Sequence, residues 1–287
     1  MHRGQANNSG RRISLNAEWL TVQKIRVLRN GVTLIGRIKK EMWSSPFFKR
    51  PNLITLPPYH LISLMKYQLA WWKVLTIVLL YYTVIGGLLI PVPRLHILNE
   101  TIRMNYYHVP MWFAMIILFG YAVWSSIQYL RGHNLEFDDR ASEAVKVAFF
   151  FGGLGLATGM IWANATWGAF WTNDPKLNNT AIGLLIYSAY FVLRGSLEDE
   201  TQRARLSAAY NIFAFAVFIP LIFILPRMTD SLHPGSGNNP TFRLFDTSHN
   251  MKLVVYTAII GFISLGWWLF TLFLRIRVLK KLQDEIN

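Results

Sequence analysis

Two histidines and the tryptophan-rich segment between them are the residues of this chain whose types and spacing suit chemistry. Residues 162–176 read Trp-Ala-Asn-Ala-Thr-Trp-Gly-Ala-Phe-Trp-Thr-Asn-Asp-Pro-Lys, which puts Trp162, Trp167, Phe170 and Trp171 within ten positions. Asp174-Pro175 is a helix-start signal, because aspartate accepts from the free amides of a helix N-terminus and proline suits the first helical position. A segment anchored at both ends holds Trp167, Phe170 and Trp171 as a wall of rings suited to a large flat aromatic ligand. His108 lies upstream in Tyr-Tyr-His-Val-Pro, and His233 lies downstream in Asp-Ser-Leu-His-Pro. A neutral imidazole is a standard axial ligand of haem iron, and two from separate elements can clamp the metal over an aromatic platform. A competing reading is equally physical. Tryptophan and tyrosine gather at membrane interfaces because their rings are amphipathic, and an interfacial histidine is commonly an ordinary polar residue. Residue types alone leave both readings open.

The elements that must position these residues are apolar. Of 287 residues, 53% are hydrophobic and 15% charged, which exceeds what one soluble core of that length needs. Six stretches are long enough to cross a hydrocarbon layer of about 30 Å: 74–90, 109–130, 147–165, 175–193, 206–225 and 253–274. Apart from Lys176 at the start of the fourth, none contains Asp, Glu, Lys or Arg. That matters because a central charge costs about 2.5–3.5 kcal/mol on insertion scales. The expectation is an all-α, polytopic membrane bundle of about six transmembrane helices. Lys66, Lys73, Arg131, Arg140, Lys146, Arg194, Arg203, Arg205, Arg275, Arg277, Lys280 and Lys281 fall on one side. Cations in short loops favour the cytoplasm, so both termini are placed there, and His108, the aromatic segment and His233 outside. The third stretch also carries Gly152, Gly153, Gly155 and Gly159, a small-residue face for close helix packing.

Residues 1–64 differ in kind, with eleven Lys and Arg against Glu18 and Glu41 and no apolar run long enough to span. They are expected to be a basic cytoplasmic tail, disordered or not part of the natural product, with residues 65–287 forming the membrane domain. The net charge of +14 is then a topology signal plus this tail, and no nucleic-acid motif accompanies it. The absence of cysteine excludes disulfides, thiolate metal sites and a covalent Cys-x-x-Cys-His haem attachment. No P-loop or Gly-x-Ser-x-Gly motif occurs. No stretch has a central histidine, which counts against a quinol-linked cytochrome b type of carrier.

The pattern Trp167-Gly168-x-x-Trp171-x-x-Asp174, flanked by a histidine at the mouth of an earlier span and another in a later loop, resembles the tryptophan-rich haem-handling family of cytochrome c biogenesis. The six-span layout is most similar to its CcmC (haem exporter) branch, with the CcsA/ResC branch second, and the likeness covers residue 65 to the C-terminus. The resemblance implies His108 and His233 as axial ligands of a non-covalent b-type haem. It implies Trp167, Gly168, Trp171 and Asp174 as the core of the haem-contacting loop, with Phe170 beside them. It further implies a bacterial inner-membrane protein presenting haem to a periplasmic chaperone of the CcmE type, with CcmA, CcmB and CcmD type subunits as companions. The family usually has a tryptophan where this chain has Asn173. Cations for the haem propionates are expected among Arg243, Lys176, Arg227 and Arg103, with Arg243 first because it follows His233 in the same loop. His249 is the substitute candidate for His233. A carrier is expected and not an enzyme in the usual sense; the alternatives are a CcsA/ResC-type cytochrome c synthase subunit and a cofactor-free permease or scaffold subunit.

Overall fold

The computed structural model describes residues 70–93, 98–233 and 248–286, and every regular element among them is helical. Helix α1 (Trp71–Leu89) is followed by a 3-10 segment, Asn99–Met104, that runs directly into α2 (Asn105–Gly132). Helices α3 (Leu135–Trp167), α4 (Pro175–Gly195) and α5 (Glu200–Ile219) follow; α5 continues through a π-turn, Pro220–Ile224, and a last turn, Leu225–Met228. Helix α6 (His249–Ile286) closes the order. The chain divides between Gln68 and Leu69 into two units. The basic segment 1–64 lies outside the described residues, as do Arg243, His60 and His96.

The helix boundaries follow from their caps. Asn134 accepts from the Glu136 amide at 2.9 Å to start α3, and Asp199 accepts from the Gln202 amide at 2.6 Å to start α5. At the other end of α3, Gly168 takes φ +82° and returns its amide to the Asn164 carbonyl at 3.0 Å. That left-handed cap is cheapest for glycine.

Six long helices therefore stand where the six apolar stretches fall. Five helical segments are long and apolar enough to cross a membrane: Trp71–Leu89, Asn99–Gly132, Leu135–Trp167, Glu200–Met228 and His249–Lys281. Helix α4 has the length, 21 residues or about 31 Å at 1.5 Å per residue, but Lys176, Asn178 and Asn179 make its first turns polar. The largest departure from the sequence expectation is α3, which begins at Leu135 and not at 147. Its added turns carry Asp138, Asp139 and Glu143, which a charge-free criterion rejects. The structure pairs all three. Arg194 of α4 holds Asp138 through two bonds of 2.7 and 2.5 Å, and Arg277 of α6 reaches Asp139 at 2.8 Å and Glu143 at 2.5 Å. Lys281 joins Asp139 to Glu200 of α5 at 2.9 and 3.2 Å. One end of the bundle is thus tied by buried carboxylates of α3 to α4 and α6, and the more exposed Lys281–Glu200 pair adds α5.

Helix α2 packs along α3 and also against α5 and α6, while α1 leans on α6 and α4 on α5 and α3. Phe119 of α2 stacks on Tyr187 of α4 at 3.7 Å between ring centroids, and Phe218 of α5 meets both edge-on. The small-residue face of α3 makes the close approach to α2 possible. A Cβ on Gly152 would come within 3.0 Å of Met115 Sδ, one on Gly155 within 3.0 Å of the Trp112 ring, and one on Gly159 within 2.8 Å of the His108 ring. Gly153 faces open space.

Candidate functional site

The site lies at the end of the bundle away from the buried charges, where α2 begins, α3 ends, α4 begins and the chain leaves α5. Asp174 organises it. As the residue preceding α4, it accepts from the Lys176 amide through Oδ1 at 2.9 Å, the cap expected from Asp-Pro. The same carboxylate binds the segment after α5. Oδ2 accepts from the Ser231 hydroxyl and the Leu232 amide, each at 2.7 Å, and Oδ1 stands 3.0 Å from His233 Nδ1. The His233 amide donates to Ser231 Oγ at 3.1 Å, closing the turn. Burial acts to raise the Asp174 carboxyl pKa, but the donors from His233, Ser231 and Leu232 outweigh it and hold the group well below the usual carboxylate range.

An ionised Asp174 accepts from a proton-bearing Nδ1 of His233, and the neutral imidazole then has its lone pair on Nε2. Among the described residues Nε2 has no hydrogen-bond partner. A carboxylate behind one imidazole nitrogen fixes the ring and strengthens the other nitrogen as a donor to metal. The ring lies edge-on to Trp167, 5.1 Å between centroids. Together with Leu98, Gly159, Trp162, Ala163 and Thr166, these two residues line a small solvent-open cleft.

His108, near the start of α2, is not part of that lining but packs behind it. It packs edge-on against Trp162 at 5.9 Å and against Gly159, both cleft residues. Its Nδ1 is 3.1 Å from Thr158 Oγ1. The Thr158 hydroxyl proton is directed to the Leu154 and Gly155 carbonyls at 2.8 and 3.0 Å, so Oγ1 is the acceptor and Nδ1 carries the hydrogen. Nε2 then accepts from the Trp112 indole N–H at 3.0 Å. In the neutral form both histidines carry the hydrogen on Nδ1, one lining the cleft and the other packed behind its Gly159 and Trp162, and imidazole donors beside aromatic walls fit haem iron.

The remaining sequence candidates are placed as follows. Gly168 acts through its backbone as the α3 cap. Phe170 and Trp171 are 54% and 45% exposed and lie outside the cleft lining, beside it on the same loop. Asn173 has φ +56°, a left-handed conformation that asparagine tolerates and a bulky aromatic does not. It also accepts from the Asn178 amide group at 2.8 Å. His249 is exposed at the start of α6 and lies outside the cleft lining. His133 sits at the opposite end, capping α2 with φ +50°. Arg103 is already committed: Nη1 donates to the Gly87 and Ile90 carbonyls at 2.7 and 2.8 Å, and Nε pairs with Glu100. It caps α1. Lys176 lies in electrostatic range of Asp174, Arg227 and His108. Sequence reasoning passed over Trp112, Thr158 and Ser231. A signal existed for Trp112, since it stands four residues after His108 on one helix face.

Comparison with known proteins adds a family to this geometry. A family model described as heme exporter protein C matches residues 54–286. Among curated relatives, the cytochrome c biogenesis protein CcsA of Prochlorococcus marinus subsp. pastoris is 36% identical over 85 residues, 30% of this chain and 27% of that protein. The protein of the same name from Pelargonium hortorum is 32% identical over 85 residues, 29% of this chain and 27% of its own length. That from Synechococcus sp. strain CC9311 is 31% identical over 93 residues, covering 32% and 30%. The chain therefore spans less than a third of the length of these curated relatives.

Proposed function

The chain belongs to the heme exporter protein C family, and we propose that it carries haem as cargo between His108 and His233 and hands it on for cytochrome c assembly. The observation that carries this reading is His233: an imidazole held from behind by a buried carboxylate, with its Nε2 unpartnered among the described residues, against a tryptophan in a cleft whose Gly159 and Trp162 pack on His108. Trp162 and Trp167 give the cleft apolar walls for one edge of a macrocycle. The exposed Phe170 and Trp171 extend that surface beyond it. Lys176 and Arg227 supply positive charge for the propionates. The residues bind, orient and release; no general acid or base is needed, and the role is that of a carrier and not an enzyme.

In this reading the histidine end faces the outside of a bacterial cytoplasmic membrane, in line with the excess of Lys and Arg in the loops of the opposite end. The receiving partner is a haem chaperone of the CcmE type, with CcmA, CcmB and CcmD type subunits as companions. The test is purification in detergent from haem-replete cells, with haem quantified per protein for the wild type, His108→Ala, His233→Ala and the double variant. The proposal expects haem with the wild type and a loss in each variant. A colourless wild type that nevertheless supports cytochrome c assembly contradicts it.

A further inference from the structure

The two histidines are not equivalent. His233 lines the cleft and its Nε2 has no hydrogen-bond partner among the described residues, whereas the Nε2 lone pair of His108 is already occupied by the Trp112 indole N–H at 3.0 Å. That cap has a seat built for it. Trp112 lies one helical turn beyond His108 on α2, and its ring fits against α3 where Gly155 leaves room; a Cβ there would stand 3.0 Å from it. Gly159 does the same for His108 one turn further along α3. Thr158 meanwhile fixes the His108 tautomer, so the nitrogen facing Trp112 has a lone pair and no hydrogen. A buried histidine needs both nitrogens satisfied. Here the Trp112 indole N–H satisfies Nε2.

We propose that Trp112 is a reversible cap on His108, which makes His233 the standing ligand and His108 the exchangeable one. The inference rests on the reading of both histidines as haem ligands. Coordination at His108 requires the Trp112 N–H to leave Nε2, so that the lone pair turns to iron; when the bond to iron breaks, the indole N–H takes the lone pair back. No proton or electron changes hands. The competition weakens one of two ligands by design, and release to a partner then starts at His108 while Asp174 keeps His233 in place. A carrier gains from this asymmetry, because two uncompromised ligands favour retention over transfer.

The test is Trp112→Phe, which keeps a ring in the Gly155 gap and removes only the N–H. Two measurements read it. In the haem-free protein with nitrogen-15 histidine, the His108 Nε2 resonance is expected to move toward that of an imidazole without a donor partner; an unmoved resonance overturns the cap. In the haem-loaded protein, release to excess apomyoglobin is expected to slow about three- to tenfold, the worth of one hydrogen bond of ordinary net strength. The same substitution in a His108→Ala background is expected to change nothing, since the cap then has nothing to cover. Equal slowing in both backgrounds, or none in either, refutes the proposal. If His108→Ala itself leaves release and spectrum unchanged, the ligand reading fails with it. If His108→Ala accelerates release and Trp112→Phe does not slow it, the cap alone fails.

Discussion

Replacing Asp174 by alanine removes one carboxylate and strands four donors at once: the Lys176 amide, the Ser231 hydroxyl, the Leu232 amide and His233 Nδ1. The cap on α4 alone contributes about 1 kcal/mol. Bonds to a charged acceptor contribute about 1.5–3 kcal/mol each, but water recovers part of that at a segment which is only part-buried. A net loss of about 3 kcal/mol for docking of 231–233 is the working figure. At about 1.4 kcal/mol per factor of ten, local opening becomes roughly a hundredfold more frequent. Hydrogen exchange reads this directly: the Leu232 amide should exchange about a hundredfold faster, while amides near Leu118 and Phe151 in the α2–α3 core keep their protection. Asp174→Asn should fall between, since its carbonyl can still cap α4. The pH dependence has a definite sign. The folded carboxyl titrates below its unfolded value, so docking is fully stabilised above the ordinary carboxylate range and is lost only on acidification through and below it. Retained protection at Leu232 in Asp174→Ala, or equal loss throughout α2 and α3, would refute the reasoning.

Three further outcomes follow from particular contacts. Gly159→Ala places a methyl 2.8 Å from the His108 ring and should cost about 1–3 kcal/mol by overpacking, with altered haem ligation, read by thermal denaturation and the visible spectrum. Gly168→Val meets no neighbour, so its penalty of about 1–2 kcal/mol is purely that of a left-handed backbone, and Gly168→Asn should recover most of it. Arg277→Met leaves Asp139 with Lys281 and Glu143 with Lys146 as their remaining cations and should destabilise the bundle by about 1.5–3 kcal/mol. Because that network lies at the opposite end, the haem spectrum of surviving folded protein should be unchanged.

Much of the fold was legible because the membrane imposes a length and a charge rule. The rule failed where charges are buried in pairs. The first turns of α3 and the last of α6 look like cytoplasmic loop by charge, yet Arg194, Arg277 and Lys281 neutralise Asp138, Asp139 and Glu143 inside the bundle. At the site, Asp174-Pro175 announced a helix cap, and the structure gives that cap a second role in gripping His233. That role was hidden because the partners are 57 to 59 positions apart. Asn173, a departure from the family pattern, follows from a left-handed backbone at that position. Arg103 was an available cation by sequence and is spent on the end of α1. Trp112 stands at helical spacing from His108, but that the spacing carries a hydrogen bond shows only in the 3.0 Å between its indole nitrogen and Nε2.

The account's central claim is that His108 and His233 bind the same iron. Haem should be added to the detergent-solubilised protein and its ferric spectrum recorded for the wild type, His108→Gly and His233→Gly, with and without free imidazole. The account predicts a low-spin, bis-histidine spectrum for the wild type, loss of that signature in each variant, and its return when imidazole fills the vacated position. A low-spin spectrum that survives either substitution without added imidazole would contradict it.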